Sequence, residues 1–220
     1  MTDELVFVET QRLNEIPFTT SKVIAEMTGI EHRKIKSAIR KYQKDMEGFG
    51  VLASYRAETQ GNKEGGRKAV GYKLNEEQAF FLMTLLKNTP VVVQFKKELV
   101  RQFYAMKSEL TKRAIAREAR KPTRRELTDV IRDCVPDSPH KNRVYKNYTD
   151  LAYVSALGKT AAQLRVERDA PSQANLTEYL SVEEIEAIRK AEGKISVLIE
   201  SGLSYPEIKS ILLRNAAAKK

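Results

Sequence analysis

From Glu31 to Lys44 the chain reads E-H-R-K-I-K-S-A-I-R-K-Y-Q-K, with Glu31 its sole acid. On a helix turning about 100° per residue, Arg33, Ser37, Arg40 and Lys44 fall opposite a seam of Ile35 and Ile39. Lys34, Lys36 and Lys41 flank that outward face. Arginine reads guanine edges with two parallel N–H bonds, serine is a small donor and acceptor, and lysine grips phosphate. Together these are the chemistry of a DNA recognition helix. The alternative is an ordinary helix pair whose basic face is simply solvated.

Such a face needs an element to hold it outward. Just upstream, Thr20 or Ser21 can cap a short first helix, because a hydroxyl oxygen accepts one of its unpaired N–H groups. Val23, Ile24 and Met27 share one side of that helix, and Ala25 permits a close crossing by the next. Gly29 can take the left-handed backbone that reverses the chain, and Ile30 plugs the corner. The second helix is expected from about His32 to Lys44, with Ile35, Ala38, Ile39 and Tyr42 inward. This is a helix-turn-helix pattern. Candidate DNA contacts are Thr20, Ser21, His32, Arg33, Lys36, Ser37, Arg40, Lys41 and Lys44.

The neighbouring segments predict a wing. Residues 5–8 (L-V-F-V) read as a short strand, and residues 11–15 as a polar turn. Gly48-Phe49-Gly50 breaks the second helix. Val51, Ala53, Tyr55 and Ala57 alternate as one strand, and Val70, Tyr72 and Leu74 as its return. The loop T-Q-G-N-K-E-G-G joins them, with Lys63, Arg67 and Lys68 at the tip, where they can reach a groove or backbone. A plain surface hairpin is the competing reading.

Beyond the hairpin the pattern is helical. Asn75 with Gln78 predicts a capping box, and Thr89-Pro90 starts another helix. On that helix Val92, Phe95, Leu99, Phe103, Met106 and Leu110 form a seam extendable to about Arg120. A helix of about 30 residues suits a coiled-coil-like dimer contact, or packs its first half at home and links with its second. Residues 111–125 are the most basic run, Pro122 is the expected domain boundary, and Thr123 with Glu126 the expected cap of a new helix. Helices are then expected at 142–157 before Gly158, at 160–168, from the Ser181–Glu184 cap to Gly202, and from Ser204 into a fraying tail. The prolines at 136 and 139 mark a loop between the first two of the later helices. The expected fold is therefore mainly α with a small β-hairpin. Residues 1–108 form a winged helix-turn-helix domain, 109–122 a basic helical linker, and 123–220 an all-helical interaction domain.

The bulk numbers agree with a polyanion partner. In 220 residues the net charge is +10, and 41% of residues are apolar against 31% charged. No apolar run approaches the roughly 20 residues of a membrane helix, and the M-T-D-E-L start lacks a signal-peptide pattern, so a cytoplasmic protein is expected. Cys134 is the single cysteine, which excludes an intrachain disulfide and a thiolate metal cluster. Gly158-Lys159-Thr160 imitates the end of a phosphate-binding loop, but Tyr153 stands where the first glycine belongs. Gly48, Gly50 and Ala53 fit a dinucleotide fingerprint only in spacing, since a strand follows. His32 and His140 have no ligand cluster, and Glu183, Glu184 and Glu186 suit a helix's first turns. No catalytic residue, metal site or cofactor is expected, and an enzyme is disfavoured.

Three stretches carry a family resemblance: T-T-S-K-V-I-A-E-M-T-G-I-E-H-R-K-I-K-S-A-I-R-K, G-Y-K-L-N-E-E-Q-A-F-F-L-M and F-K-K-E-L-V-R-Q-F-Y-A-M. In this order they resemble the N-terminal domain of the Rha family of phage regulatory proteins, over about Leu5 to Lys107. The later Y-K-N-Y-T-D-L-A-Y-V-S-A-L-G-K-T-A-A-Q-L-R is similar to C-terminal domains attached to phage antirepressors. The resemblance implies a temperate-phage or prophage regulator. Two readings follow. One is a DNA-binding regulator acting on double-stranded DNA as a homo-oligomer, a dimer or higher. The other is an antirepressor that sequesters a phage repressor protein through residues 123–220. Tyr145, Tyr148 and Tyr153 are its candidate anchors, unless their helical spacing places them in a core.

Overall fold

The computed structural model describes residues 4–8, 15–56, 70–136 and 140–217. Residues 11–14 of the expected turn, the hairpin loop with Lys63, Arg67 and Lys68, Ala57 of the expected strand, residues 137–139 of the proline loop and the last three residues lie outside the described residues. The chain divides into two compact units whose main boundary falls between Glu109 and Leu110.

In the first unit, β1 (Phe18–Thr20) leads into α1 (Ser21–Thr28), α2 (His32–Lys41) and α3 (Gln43–Glu47). Then come β2 (Ala53–Arg56), β3 (Val70–Asn75), α4 (Glu76–Leu85) and the start of α5 (Pro90–Cys134). The strands form an antiparallel sheet in the order β1-β3-β2. This is the winged helix-turn-helix arrangement expected from the sequence. Residues 5–8 contribute less than a full strand: Phe7 and Phe18 exchange one pair of backbone bonds at 2.8 and 2.9 Å. Leu5 and Val6 are nonetheless buried.

Opposite β2's Tyr55 stands Gly71 of β3. A Cβ there would lie 2.4 Å from the Tyr55 ring, so glycine lets the ring lie flat across the sheet. The apolar alternation of β2 marks a strand but not a buried face. Val51 is 90% exposed and Ala53 is exposed. β2 is an edge strand, and pairing alone does not cover its side chains.

The first core joins Ile24 and Ala25 of α1, Ile35 and Ile39 of α2, Met46, Leu74, Leu82 and the α5 seam of Phe95, Leu99 and Phe103. Fully burying one such aliphatic side chain contributes about 1.5–3 kcal/mol. That seam is therefore filled by its own unit. A different stripe of α5, with Val93, Val100 and Tyr104, remains exposed. The capping box at Asn75 and Gln78 forms, and buried Gln78 also donates to the carbonyls of Met46 at 3.2 Å and Gly50 at 2.9 Å. One side chain thus starts α4 and closes the Gly48–Gly50 turn. Thr89 Oγ1 accepts the Val92 amide at the start of α5.

The second unit holds the remainder of α5 with α6 (Lys141–Leu157), α7 (Ala161–Glu167), a 3₁₀ turn (Leu176–Tyr179), α8 (Val182–Glu200) and α9 (Tyr205–Ala217). Local signals place these elements well. Gly158 ends α6 with φ 74°, and capping boxes start α7 at Thr160–Gln163 and α8 at Ser181–Glu184. One hydrophobic cluster centres on Leu127, Ile131, Leu151, Ile195 and Ile208, another on Tyr153, Leu164, Leu180, Ile185 and Ile188.

Pro122 does not end a helix, and no new helix opens at Thr123. Instead α5 runs through Pro122 as one 45-residue helix. Proline removes one backbone bond there, but the helix is pinned on both sides: Ala116 and Arg120 before it, Leu127, Val130 and Ile131 after it, are all buried. The basic stretch 110–122 accordingly packs within the second unit. Arg120 donates to both carboxylate oxygens of Glu192 at 2.9 and 2.7 Å, where Glu192 is fully buried. Burial opposes the Arg120 charge, yet the Glu192 pair more than offsets it, and its pKa lies above the ordinary value.

Candidate nucleic-acid interface

The site begins at a cap. Thr20 has extended backbone, and its Oγ1 accepts the Val23 amide at 3.2 Å, which fixes where α1 starts. Nine residues after Thr20, Gly29 adopts φ 68°, the left-handed region, and terminates the helix. Ile30 packs against the core at the corner. α2 then starts at His32 with Ile35 and Ile39 fully buried.

With that seam turned inward, Arg33, Ser37, Arg40 and Lys41 are exposed and Lys36 is half-buried. Lys34 meets Glu31 at 3.4 Å, and Lys41 lies 5.2 Å from the centre of the Tyr42 ring. Arg33 and Lys36 form no ion pair among the described residues. The face therefore keeps most of its cationic character for an outside partner.

Two expectations change. α2 ends at Lys41 rather than Lys44, so Lys44 sits in α3 beyond a break at Tyr42. Tyr42 leaves helical geometry (φ −108°, ψ 27°), and its ring packs edge-on against Phe81 with centroids 6.2 Å apart. The break is one residue long: the Tyr42 amide still donates to the Ala38 carbonyl at 3.1 Å, and helix resumes at Gln43. Lys44 remains exposed but no longer continues the Arg33–Ser37–Arg40 row. Ser21, expected among the contacts, is fully buried, and Thr20 is half-buried in its capping role.

Ser21 instead positions the site. Its Oγ accepts the backbone amide of Tyr72 at 3.0 Å and lies 2.9 Å from His32 Nε2. A hydroxyl has one proton and two lone pairs, so while it accepts the amide it can still either donate to Nε2 or accept from it. Burial, followed by the nearby Lys36, lowers the His32 pKa below the ordinary 6.5, while Glu26 opposes and Lys22 adds to the lowering. Ser21 is thus a joint between α1, α2 and β3, with His32 as its α2 partner.

Tyr72 supplies a second tie. Arg40 Nε donates to its hydroxyl at 3.4 Å, a long bond on the surface. It leans the guanidinium toward β3 while the side chain stays exposed. The alternation marked Tyr72 only as a residue of the returning strand; its phenol as an arginine support was missed. A tyrosine with an apolar ring and a polar tip is the signal available for it.

Elsewhere the sequence's false resemblances resolve as structure. Lys159 pairs with Glu167 at 2.5 Å and Thr160 caps α7, so neither serves a phosphate loop. Among the described residues no group of three or more His, Cys, Asp or Glu is placed to hold a metal ion, and no helix is long and apolar enough to cross a membrane.

A family model described as phage regulatory protein Rha matches residues 19–108. The match begins within β1 and runs into the first part of α5, so it contains α1 to α4, β2 and β3. It supports a phage regulatory role. No curated protein sequence matches the chain.

Proposed function

We propose, on the premise that residues 19–108 form a Rha-type phage regulatory domain, that this protein is a phage or prophage transcriptional regulator that binds double-stranded DNA. The observation that carries the reading is the exposed Arg33–Ser37–Arg40 row, held outward by fully buried Ile35 and Ile39. In this reading α2 enters the major groove. Arg33, Ser37 and Arg40 meet base edges, and Lys36, Lys41, Lys44 and the wing cations Lys63, Arg67 and Lys68 meet phosphate. Thr20 and His32 stand at the two helix starts beside the phosphate backbone.

A homodimer brings two such helices to half-sites about one DNA turn apart. The exposed α5 stripe of Val93, Val100 and Tyr104 supports that assembly better than the buried seam does. The protein is then a cytoplasmic regulator rather than an enzyme, with no cofactor. Fluorescence anisotropy with an operator duplex tests it: affinity falls steeply with added salt, because each neutralised phosphate releases counterions. Salt-independent affinity contradicts direct DNA contact.

The second unit supports an alternative: an antirepressor that captures a phage repressor through residues 123–220. Its two hydrophobic clusters give it a core of its own. Tyr148 and Tyr153 are buried in those clusters, so of the three tyrosines only half-buried Tyr145 is available as an anchor. Co-purification of a phage repressor with the full chain, lost on surface charge reversal in α9 but not in α2, favours this reading.

A further inference from the structure

We propose that the second unit holds a binding site for a small phosphate-bearing organic ligand of the nucleotide class, in a cavity beside the basic stretch of α5. The cavity has a volume of about 540 Å³. Arg117, Arg120, Lys121, Arg124, Arg125 and Arg165 line it. None of them belongs to residues 19–108, and the site stands whether or not α2 binds DNA.

The six cations divide by what already holds them. Arg120 is committed to buried Glu192, and its guanidinium lies 5.6 Å from the centre of the Tyr153 ring. Arg165 braces a loop through the carbonyls of Pro171 at 3.0 Å and Ala174 at 2.7 Å. Arg117 meets Glu178 at 3.4 Å, and Lys121 meets exposed Glu118 at 2.6 Å. Arg124 donates to Thr149 Oγ1 at 2.8 Å and lies 3.6 Å from Glu192. Arg125 is exposed and forms no ion pair among the described residues. Three carboxylates thus answer six cations, and the excess charge is gathered in a concavity, which focuses the field on an anion.

The geometry points to phosphate rather than an isolated carboxylate. Arg117, Lys121 and Arg124 follow one another by four and three residues, so they lie on one side of α5. Guanidinium forks lining one cavity match the oxygens of a phosphate group. Thr149, whose hydroxyl donates to the Tyr145 carbonyl at 2.7 Å, steadies Arg124 at the wall, and Ala161 and Leu176 provide apolar wall for the organic part. The volume falls within the range of about 300–1,000 Å³ usual for small-molecule pockets.

Isothermal titration of the full chain at physiological salt tests this with pyrophosphate, AMP, ATP and a short single-stranded oligonucleotide as separate probes. The expected result is one-to-one binding of a nucleotide, weakened about tenfold or more, equivalent to about 1.4 kcal/mol or more, by Lys121→Glu combined with Arg125→Glu. Both side chains are exposed, so the fold tolerates the change. Lys209→Glu, exposed on α9, leaves binding unchanged. Three results overturn the proposal: no binding of pyrophosphate or either nucleotide; equal weakening by Lys209→Glu, which reduces the effect to net charge; or affinity that grows with oligonucleotide length through the same residues, which makes the cavity part of a polymer track.

Discussion

Ser21 Oγ lies 2.9 Å from His32 Nε2 and accepts the Tyr72 amide at 3.0 Å. One buried hydroxyl therefore joins the first turns of α1 and α2 to the strand behind them. In Ser21→Ala both partners lose that bond in a site with little water to replace it. The substitution is expected to cost about 1–3 kcal/mol, read as a lower denaturant midpoint. An unchanged midpoint would show that the three elements are held by packing alone.

The burial of His32 and the nearby Lys36 make stability depend on pH. The folded-state pKa of His32 is lowered from 6.5, so the folded protein favours the neutral ring. Below 6.5 the unfolded chain binds more protons at this position than the folded one. The contribution is present above 6.5 and is lost as pH falls through the lowered folded value. Thermal unfolding between neutral and mildly acidic pH should show stability falling with acid, and His32→Gln should flatten that part of the curve. An identical slope in both proteins would remove His32 from the account.

At Gly29 the backbone has φ 68°, and an added Cβ would have no neighbour within 4 Å. Space is not the constraint there; handedness is. Gly29→Ala should destabilise the first unit by about 1–2 kcal/mol, from the strain of a left-handed L-residue. Gly29→Asn should be milder, because asparagine enters that region more readily. Equal losses for both would point to something other than backbone handedness.

Glu192 sits fully buried under Arg120 and Arg124. Glu192→Ala leaves Arg120 charged in a dry site. The expected cost is about 3–5 kcal/mol, seen as early thermal melting of the second unit. A melting curve like that of the unaltered protein would mean water reaches Arg120 freely.

Much of this structure was legible because its signals are local. Gly29, Asn75 with Gln78 and Ser181 with Glu184 set element ends within a few residues of themselves. The Ile35 and Ile39 seam placed the candidate contact face by periodicity alone. What escaped was decided at long range. Pro122 carries a strong local signal for a break, and burial on both sides of it overrides that signal. Ser21 reads as a cap or a phosphate contact, and its real partner, the Tyr72 amide, is 51 residues away. Tyr42 ends α2 early because Phe81 is there to receive its ring, which no spacing within α2 announces. The apolar alternation of β2 gave the strand but not its edge position.

The most direct test is a selection of genomic DNA fragments with the full protein, run beside the Arg33→Ala, Arg40→Ala double variant. Both side chains are exposed on α2, so the variant should melt as the parent does. The account predicts that the parent enriches a recurring palindromic motif, and that the variant loses base preference at the positions those arginines read, each worth about 1–3 kcal/mol of discrimination. Enrichment of the same motif, with the same preferences, by both proteins would contradict it.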